Sequence, residues 1–190
     1  MPDRNVLRRL PRPRQPGRAL GTGLAALLAS SAFALLPAPA GAQSPDKPVL
    51  SVLTLAGEDF DLQRLRGQVV VLHFWATWCA PCIQEMPALE AVYSRYRKRG
   101  LEVIALSQDR TRDIEEVHHM MHHMKMSYPV AMLHNASHNS LGEQAALPVT
   151  IVIDAQGVVR ARMRPDSLPV TEENLARIVE PLLPPALPSP

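Results

Sequence analysis

The stretch Val69-Val70-Val71-Leu72-His73-Phe74-Trp75-Ala76-Thr77-Trp78-Cys79-Ala80-Pro81-Cys82 constrains this chain more than any other. Its first seven residues are apolar except for one histidine. A continuous apolar run of that length, in place of an alternating one, is the pattern of a central strand buried on both faces. Two cysteines two residues apart follow, and a helical pattern begins with them. The pair therefore sits where a strand ends and a helix starts. Unpaired N–H groups and the positive end of the helix dipole stabilise an anion at such a place. A thiolate held there has a lowered pKa, and the thiolate is the nucleophile of disulfide exchange.

The chain has 190 residues and only these two cysteines. None is left for a second, structural disulfide or a cysteine-based zinc site. A purely structural Cys79–Cys82 bridge would close a loop too short to add much stability, so a catalytic pair is the stronger reading. The net charge is +2, from 20 basic and 18 acidic residues. Six arginines and one acid lie in the first 42 residues, which leaves 14 basic against 17 acidic residues and a net of −3 for the remainder. No basic patch argues for nucleic acid.

Residues 1–42 read as a leader. An Arg- and Pro-rich start precedes an apolar run from Ala19 to Leu36, and Pro37-Ala38-Pro39-Ala40-Gly41-Ala42 carries an A-x-A site. The pattern predicts a signal peptide cleaved after Ala42. The alternative is an uncleaved N-terminal membrane anchor, since 18 residues is at the lower limit for a span. In either case the Arg-rich side stays in the cytoplasm and the domain is exported. The expected location is the periplasm, free or anchored to the inner membrane. No cysteine near the site supports a lipid anchor, and the residues around Arg8-Arg9 fit a twin-arginine signal poorly.

Residues 43–48 read as a polar linker, 49–183 as one domain and 184–190 as a disordered tail. A strand is expected over Val49–Leu55, a turn at Gly57-Glu58-Asp59 and a single helical turn over Asp61–Arg66, stopped by Gly67. The central strand spans Gln68–Trp75. The helix from Ala80 to Arg99 sets Cys82, Glu85, Met86, Leu89, Val92, Tyr93 and Tyr96 on one face, and Gly100 after a basic last turn ends it. Leu101–Ser107 reads as a second buried strand. Thr111 to about Met126 is helical. At 100° per residue, Ile114, Val117, Met120, Met121 and Met124 share one side, and His118, His119, His122 and His123 the other. Tyr128–Leu133 reads as a short strand, and 134–146 as a loop with a helical turn near Leu141. Pro148–Asp154 and Val158–Met163 form a hairpin around Asp154-Ala155-Gln156-Gly157. A last helix runs from Thr171, its N-cap, to Leu183. This alternation predicts an α/β fold with a mixed sheet flanked by helices.

Trp78-Cys79-Ala80-Pro81-Cys82 resembles the WCxPC active site of the thioredoxin superfamily. The longer string from Phe74 to Pro87 is similar to the TlpA/ResA-like branch of exported thiol–disulfide oxidoreductases. The resemblance covers roughly residues 49–183 and implies a thioredoxin-like fold. It also implies that Cys79, nearest the helix end and the surface, attacks a substrate disulfide, and that the more buried Cys82 resolves the mixed disulfide. No cofactor beyond the redox-active Cys79–Cys82 pair is expected. The implied partners are protein thiols and disulfides, in cytochrome c maturation or copper-site assembly, and a membrane electron donor of the DsbD/CcdA type.

Glu85 lies one turn past Cys82 on the buried stripe. A carboxylate there is costly unless it is paired or functional. The resemblance implies proton handling for Cys82; the competing reading is a solvated helix glutamate. The resemblance further implies a cis bond at Leu147-Pro148, facing the cysteines, with the backbone before the proline pairing with bound substrate. Threonine or valine is more usual where Leu147 stands. Trp78, Pro81, Leu147 and Pro148 are thus the expected substrate-binding set. Trp78 is read as a partly exposed wall, Trp75 as core, and Pro87 as a structural kink.

His118/His122 and His119/His123 are i, i+4 pairs that could chelate a metal, and with the neighbouring methionines they would suit copper. The competing reading makes the methionines a core stripe and the histidines its wet face, and no metal ligand is assigned. The functional alternative is therefore a copper-binding chaperone using the cysteine pair and the His/Met-rich helix. A peroxiredoxin-like peroxidase fits poorly, because Ala76 stands where a Thr-x-x-Cys motif needs threonine.

Overall fold

The computed structural model describes residues 47–185. The leader and most of the linker read from the sequence lie outside the described residues, as do residues 186–190. In chain order the strands and helices are β1 (Leu50–Leu53), β2 (Asp59–Asp61), β3 (Val69–Trp75), α1 (Ala80–Tyr96), β4 (Leu101–Ser107), α2 (Ile114–His123), β5 (Val130–Met132), β6 (His138–Asn139), β7 (Val149–Ile153), β8 (Val159–Met163) and α3 (Glu172–Val179).

Five strands form the main sheet in the order β5-β4-β3-β7-β8. β3, β4 and β5 run parallel, β7 runs antiparallel to β3, and β8 runs antiparallel to β7. β3 is therefore central, and all seven of its residues are buried. Its side chains alternate between two cores. Val69, Val71 and Trp75 pack with Cys82, Met86, Leu89 and Val92 of α1, Val117 of α2, and Leu175 and Val179 of α3. Val70, Leu72 and Phe74 pack with Leu50, Val52, Phe60 and Leu62. The three helices thus cover one face of the sheet. The expected mixed sheet flanked by helices is found, with its other face closed by a small antiparallel sheet of order β2-β1-β6 and the segment behind it.

Local chemistry sets the boundaries. After α1 a 3-10 turn over Arg97–Arg99 ends at Gly100, whose φ of +89° is open to glycine at little cost. Asp154 Oδ1 accepts the N–H groups of Gln156 and Val158, both at 2.9 Å, and pins the β7–β8 turn. Thr171 caps α3 as expected, its hydroxyl accepting the Asn174 N–H at 3.1 Å.

Three expectations need correction. No regular helix forms over Asp61–Arg66; residues 62–67 are a run of turns in which the Arg64 N–H donates to the Asp61 carbonyl at 3.0 Å. Residues 59–61 instead make β2, and the Leu62 N–H donates to the Leu50 carbonyl at 2.9 Å, because Phe60 and Leu62 both face the core. The 134–146 segment carries the short strand β6 and a 3-10 turn at Leu133–Asn135 in place of a turn near Leu141. α2 stops at His123, three residues before Met126, with Lys125 in the left-handed region at φ +52°.

Candidate active site

β3 carries the chain to the edge of the sheet, and residues 76–78 turn it into α1. Cys79 is the N-cap of that helix, with Pro81 in its first turn. Proline is tolerated there because its missing N–H would have had no helical partner. Cys79 and Cys82 are joined in a disulfide with a Cα–Cα distance of 5.3 Å. The Cys82 N–H points at Cys79 Sγ at 3.3 Å, so a backbone donor already faces the sulfur that would carry charge once the bond is reduced. Cys79 retains 5% exposure and Cys82 none. Trp78 stands out into solvent at 71% exposure, more than a partly exposed wall requires, whereas Trp75 is fully buried.

The turn before Cys79 is held from β4. Asp109 is buried, and its Oδ2 accepts the Thr77 N–H at 2.9 Å and the Ser107 hydroxyl at 2.7 Å. Its Oδ1 accepts the Thr77 hydroxyl at 2.7 Å. Asp109 lies two residues past the strand Leu101–Ser107, and the sequence alone assigns it no role. An acid straight after a buried apolar strand is a weak sign of such a clamp, because Thr77 lies 32 residues away in the chain.

Glu85 is buried on α1. Its Oε1 accepts the Val170 N–H at 3.2 Å, and its Oε2 has no hydrogen-bond partner among the described residues. Burial pushes its pKa up to about 7, against the opposing pull of the Val170 hydrogen bond. The competing view of a solvated helix glutamate does not hold. His73 was missed by the sequence reading, which treated it as part of the strand. It is fully buried and points toward the helices by alternation with Val71 and Trp75. Its Nδ1 pairs with Thr150 Oγ1 at 2.9 Å, its Nε2 has no partner among the described residues, and burial pulls its pKa down to about 3. His73 is therefore neutral at physiological pH.

The Leu147–Pro148 peptide bond is cis. β7 starts at the next residue, where Val149 pairs with Phe74. One step further along that register sets Pro148 beside Trp75, at the end of β3 from which the cysteine turn departs. Pro148 is buried and Leu147 half-buried. Thr77 and Trp78 also line a groove of about 340 Å³ with Glu116, His119 and Met120 of α2. On α2, Val117 is buried, and Ile114, Met120, Met121 and Met124 pack against the core. His119, His122 and His123 are exposed, and the His119 and His123 rings stack with centroids 6.2 Å apart. Among the described residues no group of three or more His, Cys, Asp or Glu side chains is placed to hold a metal ion.

A mixed sheet with a Cys-x-x-Cys disulfide at the N-terminus of the helix after its central strand, beside a cis-proline, defines a thioredoxin-like redox domain. The AhpC/TSA family profile matches residues 41–162. The ResA thiol–disulfide oxidoreductase of Bacillus anthracis is 35% identical over 116 residues, which is 60% of this chain and 65% of that protein. The ResA of Bacillus thuringiensis subsp. konkukian is 31% identical over 139 residues, or 73% of this chain and 78% of its own length. Among solved structures, a thiol:disulfide interchange protein of the thioredoxin family from Chlorobium tepidum superposes with a TM-score of 0.61 at 26% identity, covering 75% of this chain and 99% of that one. A secreted thiol-disulfide isomerase from Corynebacterium glutamicum gives 0.59 at 25% identity, covering 72% and 84%. The chain belongs to the AhpC/TSA family, and within it to the ResA-like thiol–disulfide oxidoreductases.

Proposed function

We propose that this chain is an exported thiol–disulfide oxidoreductase that reduces disulfides in protein substrates. The observation that carries the reading is the Cys79–Cys82 disulfide capping α1 beside the cis Leu147–Pro148 bond. In the reduced protein the Cys79 thiolate attacks one sulfur of a substrate disulfide. A Cys79–substrate bond forms, and the other substrate sulfur leaves as a thiolate. Glu85, one turn beyond Cys82, takes the Cys82 proton. Cys82 then attacks Cys79 Sγ, the substrate leaves with both electrons, and the Cys79–Cys82 disulfide is restored. The backbone at Leu147 pairs with the substrate chain, Pro81 lies at the approach, and the exposed Trp78 offers its ring to the substrate from solvent. A membrane dithiol donor of the DsbD/CcdA type would reduce the pair again. Apocytochrome c or copper-site assembly proteins are the proposed substrates.

Export is supported by the leader pattern of residues 1–42 and by the secreted Corynebacterium glutamicum relative. No helix among the described residues is long and apolar enough to cross a membrane. The test is a trap. The Cys82→Ser full chain, mixed with an oxidised disulfide peptide, should accumulate a mixed disulfide through Cys79, and Cys79→Ser should form none. A trap through neither cysteine refutes the mechanism. A reduction potential near or below about −270 mV supports the reducing direction, and one near about −120 mV overturns it.

His119 and Met120 share a groove with Thr77 and Trp78, which favours copper chaperoning as the second reading. It predicts stoichiometric Cu(I) binding by the reduced chain, measured against a Cu(I) chelator. Ala76, buried where a peroxidase would need threonine, leaves the peroxiredoxin reading without support.

A further inference from the structure

The two segments that flank the disulfide are both held by Ser107, the last residue of β4, and the two residues that follow it. Ser107 and Asp109 hold the turn at Thr77, as described above. Gln108 reaches the opposite way. Its own N–H donates to the Trp75 carbonyl at 2.8 Å, which fixes its position against the end of β3. Its side-chain amide then makes two bonds to the main chain of Gln144: Nε2 donates to the Gln144 carbonyl at 3.0 Å, and Oε1 accepts the Gln144 N–H at 2.7 Å. One side chain thus serves both polar groups of a backbone residue, as a neighbouring strand would.

Leu147 packs against both cores, but the segment before it has few other hydrogen bonds. Residues 141–148 belong to no helix or strand. Asn139 Oδ1 accepts the N–H groups of Leu141 and Gly142, at 3.0 and 3.1 Å. Among the described residues, every hydrogen bond that reaches another element from residue 143 to the start of β7 comes from Gln108. That is the stretch that delivers Leu147 and Pro148 to the side of the cysteines.

We propose that Gln108 is a positioning residue for protein substrates: through Gln144 it sets the Leu147–Pro148 ledge at a fixed height beside Cys79. The inference rests on the disulfide-reductase reading above. A polypeptide substrate must lie along the ledge by main-chain pairing and present its sulfur to Cys79 at once. A small disulfide needs only the sulfur. Loosening the ledge therefore penalises the first substrate and spares the second.

The experiment compares the full reduced chain with its Gln108→Ala and Gln108→Glu variants on a disulfide-bonded peptide and on glutathione disulfide. Gln108→Ala should raise KM for the peptide about tenfold, the scale expected when a positioning contact is lost, with kcat nearly unchanged. Its rate on glutathione disulfide and the equilibrium constant for reducing its disulfide should each stay within about twofold of wild type. Gln108→Glu keeps the acceptor for the Gln144 N–H and loses the donor, so its KM should fall between the two. Amide exchange at residues 145–147 should quicken in Gln108→Ala, while β3 and α1 stay protected. An unchanged peptide KM, or an equal loss on both substrates, overturns the inference and leaves the reductase reading standing. A wild-type chain inert toward both disulfides removes that reading, and the inference with it.

Discussion

Replacing Glu85 by glutamine separates the charge of this side chain from its shape, and the structure sets the size of the effect. The carboxyl titrates near 7 in the folded chain against an ordinary 4.5, because burial disfavours its charged form. Between those two values the folded chain holds a proton that the unfolded chain has released. Stability must therefore fall as pH rises through that window. At about 1.36 kcal/mol per pH unit the whole interval amounts to about 3 kcal/mol. Glu85 is only 7% exposed, so solvent screening removes little of it. The penalty is absent below pH 4.5 and fully present above 7.

His73 works in the opposite sense. Its folded value of about 3 lies below the ordinary 6.5, so the unfolded chain binds a proton that the folded chain refuses. Stability is lost as pH falls from 6.5 toward 3 on its account. The two slopes oppose each other between 4.5 and 6.5, and the wild-type curve alone would hide both. The difference between wild type and Glu85→Gln cancels every titration except that of Glu85. Urea unfolding of the oxidised full chain at successive pH values from 4 to 8 measures it. The variant's advantage should be constant below pH 4.5, grow by about 3 kcal/mol up to pH 7 and stay constant beyond. In thermal scans the growth corresponds to about 10 °C. The glutamine amide keeps an acceptor for the Val170 N–H, and any fixed offset from its NH₂ group is independent of pH. A difference that stays flat across the window, or shrinks, refutes the reasoning.

The parts of this fold legible in the sequence are those whose causes are local. The unbroken apolar run marked β3 as central because both faces of a middle strand are covered. Thr171 marked the start of α3 because a cap bonds within its own first turn. The side of α2 that bears Val117 and the methionines followed from helical period alone. What stayed hidden depends on partners distant in the chain. β2 is three residues long and exists because its neighbour β1 lies beside it. β6 has two polar residues and no apolar pattern to announce it. The site divides in the same way. Cys79, Cys82, Glu85 and Pro148 could be named from local spacing and a family resemblance. Asp109 and Gln108 act on Thr77 and Gln144, 32 and 36 residues away, and nothing near them in the sequence encodes those bonds.

Two substitutions probe the frame around the cysteines. Thr171→Ala removes the acceptor that caps α3 and should lower stability by about 1 kcal/mol in urea unfolding; no change would mean that solvent replaces the cap fully. Asp109→Ala should do considerably more. It strips acceptors from three donors together: the Thr77 N–H, the Thr77 hydroxyl and the Ser107 hydroxyl. A buried donor left without a partner costs about 1–3 kcal/mol, and these groups are at least partly shielded from water. Some will find new partners as the turn relaxes, so a loss of about 3–4 kcal/mol is expected. Asp109→Asn keeps one side-chain oxygen as an acceptor but turns the other position into a donor facing donors, so it should lie between alanine and wild type. The two tryptophans report where the loosening occurs. Trp75 is enclosed by the core, while Trp78 rides on the released turn. Fluorescence anisotropy should therefore fall in Asp109→Ala at a temperature where the fold is intact. The drop should vanish in a Trp78→Phe background, because the mobile reporter is then gone and Trp75 stays enclosed. A loss below about 1 kcal/mol, or a drop in anisotropy that survives Trp78→Phe, would show that the turn before Cys79 is held by its own packing and not by the Asp109 carboxylate.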